Sequence, residues 1–300
     1  MPASECPRLA MLVDNNDGLR KELAHWLGEG ALALVLGAGI SYNQNLPLWP
    51  ELVRRCCKTA KVPVRLTNGA PTDKILDKLE LVHNRADTEM QYQDWIREAL
   101  YREVAKYDMR IVNDQWLLAL GALLMTSARG SVSQVLTYNF DDLLEAYLEM
   151  HGFCIQTVTD LPALLGTSDV TIYHPHGFLP LLSTHHASRH IVFDRASYEL
   201  RLAESSDPWN ERVRDMLVSK VTIFLGLSGN DPCLRTALAW VNAQLPDSRL
   251  LGVWLIGDRE KDDEEVELLT SRGIAPLYFA EHELIPEFLL QICQEAVRLV

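Results

Sequence analysis

The chain has 300 residues, 48% of them hydrophobic, yet no run reaches the roughly 18 uninterrupted apolar residues that a membrane span requires. Its 28 Lys and Arg against 41 Asp and Glu leave a net charge of −13, which argues against general affinity for nucleic-acid phosphates, an attraction that is mostly electrostatic. The first thirty residues lack a basic region followed by an apolar one, and Asp14-Asn15-Asn16-Asp17 interrupts any such segment, so the expected location is the cytoplasm.

An amphipathic stretch from Gly18 to Leu27 leads into the apolar run Ala31 to Leu36, read as the first strand. From Glu51 to about Ala128 the pattern changes: apolar residues recur at helical spacing, no strand is evident, and Trp95 and Trp116 are expected to pack in a core. Apolar β-type runs then return at Val132–Leu136, Val170–Tyr173, Val221–Leu225, Leu250–Ile256 and Ala275–Phe279. Helical segments are expected around Phe140–Met150, Arg195–Glu204, Trp209–Val218, Leu234–Ala243, Glu260–Leu269 and Leu284–Leu299. The acidic run Asp258 to Glu267 reads as a solvated helix start, where carboxylates meet the positive end of the helix dipole. The alternation predicts an α/β fold, a doubly wound, Rossmann-like parallel sheet formed by residues 1–50 and 129–300, with a helical module inserted at 51–128.

The six cysteines, at 6, 56, 57, 154, 233 and 293, include no C-x-x-C pair, and the adjacent Cys56 and Cys57 would point to different faces of a helix. Neither a disulfide framework nor a zinc ribbon is indicated, and no metal is expected.

Three strand ends carry polar or small residues where a parallel sheet presents its ligand-binding edge. After the first strand, Gly37-Ala38-Gly39-Ile40-Ser41 offers a Gly-x-Gly turn that lets backbone approach a phosphate. Tyr42 stands where the third glycine of G-x-G-x-x-G would be, which disfavours a hydride-transfer dehydrogenase, and no P-loop is present. In Thr137-Tyr138-Asn139-Phe140-Asp141, Asn139 supplies a donor and an acceptor, while Asp141 can cap the following helix. In His174-Pro175-His176-Gly177, His176 can exchange a proton near neutral pH beside a glycine that leaves room for substrate. His174 and His176 also form an H-x-H pair, but Pro175 and the absence of obvious further ligands weaken a metal reading. His185, His186 and His190 read as a surface loop.

At these residues the chain resembles the sirtuin superfamily. Gly37 to Ser41 is similar to the family's GAGxS loop, Thr137 to Asp141 to its T-x-N-x-D motif, and His176-Gly177 to its catalytic histidine-glycine. A fourth segment, Leu225-Gly226-Leu227-Ser228, resembles the glycine-serine turn near the adenosine ribose. The four motifs stand in the family's order over roughly Leu32 to Phe279. The four-cysteine zinc module and the Asp-Phe-Arg segment of deacylating sirtuins are missing, and Tyr138 replaces the glutamine common in them. Leu46-Pro47-Leu48-Trp49, Tyr173 to Pro180 and Leu225 to Pro232 are similar instead to bacterial sirtuin-like proteins of antiphage defence.

That resemblance implies an NAD hydrolase that cleaves the nicotinamide–ribose bond to give nicotinamide and ADP-ribose, with NAD as substrate. It implies catalytic roles for Asn139, His176 and Asp141, pyrophosphate contacts from Gly37, Ala38, Gly39 and Ser41, further cofactor contacts from Thr137 and Tyr138, and adenosine contacts from Gly226 and Ser228. Partners implied are a second copy of the chain or a separate sensor protein, with no membrane and no sequence-specific nucleic acid. A regulatory NAD-binding or ADP-ribose-binding module and a protein deacylase are the alternatives.

Overall fold

Short runs that are apolar at nearly every position suit strands covered on both faces. The computed structural model describes residues 16–64, 72–104, 106–107, 109–125, 131–182, 184–204, 206–244 and 250–298. Cys6, the Asp14-Asn15 interruption, the Ala128 end of the helical module and the Leu299 end of the last helix lie outside them. Strands β1 (Leu32–Leu36), β2 (Gln134–Thr137), β3 (Ile155–Val158), β4 (Val170–Tyr173), β5 (Val221–Leu225), β6 (Gly252–Gly257) and β7 (Ile274–Phe279) form one sheet in the order β3-β4-β2-β1-β5-β6-β7. Every pairing is parallel.

Six of these strands correspond to the predicted runs: β4 and β5 coincide with them, and the other four differ by one or two residues at one or both ends. The seventh, β3, was not expected: Ile155-Gln156-Thr157-Val158 is an edge strand with three half-buried residues, so it lacks the apolar run that marks the others.

The alternation of side chains along each strand divides the core in two. Leu34, Leu36, Val135, Ile172, Ile223 and Val253 face one side. That side is covered by α1 (Asn16–Gly28), α5 (Gln115–Leu124) and α11 (Leu284–Arg298), of which α11 packs along both others. Ala33, Val35, Leu136, Phe224 and Trp254 face α8 (Pro208–Ser219) and α9 (Pro232–Gln244). Between β1 and β2 the chain also forms α2 (Trp49–Thr59), α3 (Thr72–His83) and α4 (Glu89–Tyr101), which pack on one another. Trp116 is buried on α5 and Trp95 packs against the same core. Cys56 and Cys57 are both fully buried, because α2 is covered on more than one face. No helix among the described residues is long and apolar enough to cross a membrane. The acidic segment does start a helix, α10 (Asp263–Thr270), with the Asp262 carboxylate accepting from Glu264 N and Glu265 N.

At the carboxyl ends of the central strands, β1 and β5 meet backbone to backbone. Gly37 N donates to Leu225 O at 2.9 Å and Gly39 N to Gly226 O at 3.0 Å. A Cβ on Gly37 would lie 2.5 Å from Gly226 O, and one on Gly39 2.8 Å from Gly226 Cα. Gly226 itself has a φ of +65°, where a Cβ would also meet Ile40 N at 2.8 Å. Both the conformation and the contact demand glycine. Gly226→Ala should therefore lower stability by about 1–3 kcal/mol or more, read as a lower urea midpoint; a change within about 0.5 kcal/mol, typical of an ordinary surface site, would contradict this packing.

Candidate active site

Neighbouring strands in the order β4-β2-β1-β5 bring the four motifs to one edge of the sheet. Gly37 follows β1, Tyr138 follows β2, His174 follows β4 and Gly226 follows β5. They border a cleft of about 1270 Å³ whose wall includes Gly37, Ala38, Gly39, Tyr138, Asn139, His176, Gly226 and Ser228. Small-molecule sites commonly measure about 300–1,000 Å³, so the space suffices for a dinucleotide. Leu48, Trp49, Arg54, Ile75 and Leu76, from α2, α3 and the residue before α2, form part of the same wall.

Ser41, Thr137 and Asp141 stand behind this wall rather than on it, each less than a tenth exposed. There they hold Asn139. Its backbone N donates to Thr137 Oγ1 at 3.1 Å, and its Nδ2 donates to Gly37 O and Ser41 Oγ, both at 3.2 Å. Ser41 Oγ donates in turn to the Asp141 carboxylate at 3.4 Å. Both Nδ2 hydrogens are thus engaged, and the group the Asn139 side chain offers to the cleft is Oδ1. Asp141 also receives Leu143 N at 3.2 Å, at the start of α6 (Leu143–Met150), as its expected capping role requires.

Gly37 N and Gly39 N already donate to Leu225 O and Gly226 O, so at the cleft wall these two residues offer space rather than free backbone donors.

His174 and His176 do not converge as the H-x-H spacing allowed, because the chain leaves the strand at Tyr173. His174 is fully buried, its Nδ1 3.1 Å from Asn139 O and its Nε2 2.7 Å from Glu145 Oε1. A carbonyl can only accept, so Nδ1 carries a proton and His174 fixes the backbone of the Asn139 turn. His185 is likewise anchored, at 3.3 Å from Asp142 and 3.1 Å from Glu149, while His186 and His190 are exposed.

His176 sits between two aromatic rings, with Tyr138 at 4.6 Å and Tyr198 at 5.1 Å between centroids. Tyr198, on α7 (Arg195–Ala203), donates its hydroxyl hydrogen to Asp231 Oδ2 at 2.9 Å. Its oxygen is then left to accept from His176 Nδ1 at 3.4 Å. This selects the Nδ1–H tautomer and leaves the lone pair of Nε2 bare. Nε2 is buried without a hydrogen-bond partner, and the nearest carboxylate oxygen, Asp231 Oδ2, is 3.5 Å away. Burial pushes the His176 imidazole down to about 4, although Asp231 pulls the other way. The ring is therefore uncharged near neutral pH, with the Nε2 lone pair open.

Asp231 and Tyr198 were missed in the sequence reading. Asn230-Asp231-Pro232 contained a usable signal, since Asp before Pro at a helix start is a capping pattern. Asp231 Oδ1 does accept Leu234 N at 2.8 Å, which aims Oδ2 at the Tyr198–His176 pair.

A family model described as a SIR2-like domain matches residues 133–277. This match identifies residues 133–277 as a sirtuin-like domain. The match covers the strand ends bearing Asn139, His176 and Gly226, and it supports a sirtuin-related NAD-binding or NAD-processing function. No curated protein matches the chain.

Asp141 supplies a pH test of the sirtuin-like site. Burial pushes its carboxyl up from 3.8 to about 7, with Asp142 and Glu145 adding to the rise and the Leu143 hydrogen bond opposing it. The fold thus keeps a proton that the unfolded chain releases near pH 4, and this group's contribution to stability falls as pH rises from about 4 to 7. His176 has the opposite slope but is common to wild type and an Asp141→Asn variant. The stability of Asp141→Asn relative to wild type should therefore rise across that window; a flat difference would contradict a protonated, buried Asp141.

Proposed function

We propose that the protein hydrolyses NAD at the nicotinamide–ribose bond, releasing nicotinamide and ADP-ribose. The observation that carries this reading is the bare, buried Nε2 of uncharged His176 on the same cleft wall as Asn139. As the bond to the pyridinium nitrogen breaks, its electron pair neutralises nicotinamide and positive charge develops on the ribose. Asn139 Oδ1 orients the attacking water or a ribose hydroxyl, and His176 Nε2 takes the proton that is lost. The adjacent Asp231 carboxylate stabilises the imidazolium so formed. Tyr138 packs on His176 and borders the nicotinamide end, while Ala38 faces the pyrophosphate, with Arg54, Arg55 and Arg259 the arginines on the cleft wall. Gly226 and Ser228 border the adenosine side. Asp141, Ser41 and Thr137 act by positioning Asn139 rather than by touching substrate.

Turnover needs no metal in this reading, which assigns water activation to His176. The motifs similar to antiphage proteins support a role as a defence effector that depletes NAD in the cytoplasm. An unrestrained NAD hydrolase would exhaust a cofactor its host needs, so activity is gated by self-assembly or by a sensor protein. The proposed helical module at 51–128 offers the lever: α2 and α3 wall the cleft, whereas α5 lies along α11 on the sheet. A shift from about 1% to 99% active requires roughly 5.5 kcal/mol of differential binding, within reach of an ordinary interface.

Asn139→Ala and His176→Ala should each lower kcat by about 10²–10⁴, measured by chromatography of nicotinamide, with circular dichroism unchanged. Undiminished cleavage by both would remove the assignment. Specific activity should rise with protein concentration or on adding a partner, and a dilute monomer as active per molecule as any assembly would defeat the gating proposal.

A further inference from the structure

The arrangement that leaves Nε2 of His176 bare has a second consequence. Cys233, on the first turn of α9, brings its thiol to the same place: His176, Asp231 and Cys233 each offer one ligand atom, and these atoms all lie within 4.8 Å of one another. We infer that these three side chains form an inhibitory site for a borderline-soft divalent cation of the zinc type, which silences the hydrolase by occupying His176.

The chemistry of the set selects the cation. Imidazole nitrogen, thiolate sulfur and carboxylate oxygen together suit zinc, whereas magnesium and calcium favour oxygen ligands. Zinc bonds of about 2.0 Å to nitrogen or oxygen and 2.3 Å to sulfur place tetrahedral ligands roughly 3.3–3.5 Å apart. His176 Nε2 and Asp231 Oδ2, at 3.5 Å, already have that spacing. The one ligand atom from each of His176, Asp231 and Cys233 lies within 4.8 Å of the other two, so a side-chain adjustment brings the thiol to the spacing of a zinc ligand.

Nε2 is a buried acceptor with no donor facing it, which a cation satisfies directly. Asp231 is preset, because Oδ1 is held by Leu234 N and Oδ2 by Tyr198, and an oxygen accepting one hydroxyl hydrogen retains a lone pair for a metal. On binding, the Cys233 thiol gives its proton to solvent. The carboxylate and the thiolate then neutralise the dication, so no net charge is left in the buried site. His176 and Asp231 border the cleft, which supplies the route in and a position for water as fourth ligand. Cys233 has no part in the proposed hydrolysis and lies behind these two residues, against Leu76, Val192 and Tyr198.

Binding stands independently of the NAD reading; inhibition rests on it, and two measurements separate them. In the first, the purified full chain, stripped of metal, is titrated with Zn²⁺ against a chromogenic chelator, and with Co²⁺ followed by absorbance. One ion should bind per chain, with a thiolate-to-cobalt charge-transfer band that disappears in Cys233→Ser. Cys233→Ser, Cys233→Ala and His176→Ala should each weaken zinc binding by at least about 10–100-fold, the loss that even outer-sphere changes cause. No binding, or affinity indifferent to Cys233 and His176, overturns the site.

In the second measurement, Zn²⁺ added during NAD turnover should inhibit wild type and be reversed by chelator. Cys233→Ser should retain basal turnover and need at least about tenfold more Zn²⁺ for the same inhibition. Equal inhibition of both overturns the regulatory claim. If the charge-transfer band appears but no NAD is cleaved under any condition, the hydrolase reading fails while the metal site stands.

Discussion

The backbone contact between the ends of β1 and β5 is the constraint on which the site depends. It brings Gly37, Gly39 and Gly226 within the distance of a missing side chain, and Gly37 N and Gly39 N tie the two strand ends together. The oxygen of Gly37 then accepts from Asn139 Nδ2, so the same turn that closes on β5 also holds the polar residue after β2. Any side chain at these glycines would move the turn and lose both connections. What resembles a phosphate loop in the sequence is, in the fold, first a hinge pin between strands.

Behind the cleft lies a chain of buried polar groups that would be costly if left unpaired. Thr137, Ser41 and Asp141 hold the Asn139 turn from one side, and His174 with Glu145 holds it from the other. The contrast with His176 is physical rather than sequential. His174 spends both ring nitrogens on the protein, whereas His176 keeps Nε2 uncommitted next to a carboxylate that it does not bond. Fixed neighbours around one free lone pair are what proton abstraction requires, since little reorganisation remains at the moment of reaction.

The fold was largely legible because strands buried on both faces of a parallel sheet write themselves as apolar runs. Edge strand β3 escaped, as three half-buried residues, two of them polar, leave no such run. The four motifs were legible as a set, but not which way each side chain points. Ser41 and Asp141 share motifs with wall residues yet turn inward, a distinction set by the tightness of the loops rather than by residue type. Tyr198 lay beyond sequence reasoning, because its role comes from the face that α7 presents to residues 22 and 33 positions away. Asp231 was within reach through its capping pattern. Cys233 was not, since only the fold places a lone cysteine beside a histidine from another strand end.

The central claim is that water, activated at His176, replaces nicotinamide on the ribose of NAD. The direct measurement is mass spectrometry of the products formed in ¹⁸O-water. ADP-ribose carrying one heavy oxygen at the ribose carbon, together with unlabelled nicotinamide, is the predicted result. Intact NAD under every condition of concentration and partner, or a nicotinamide-free product without label, would contradict it.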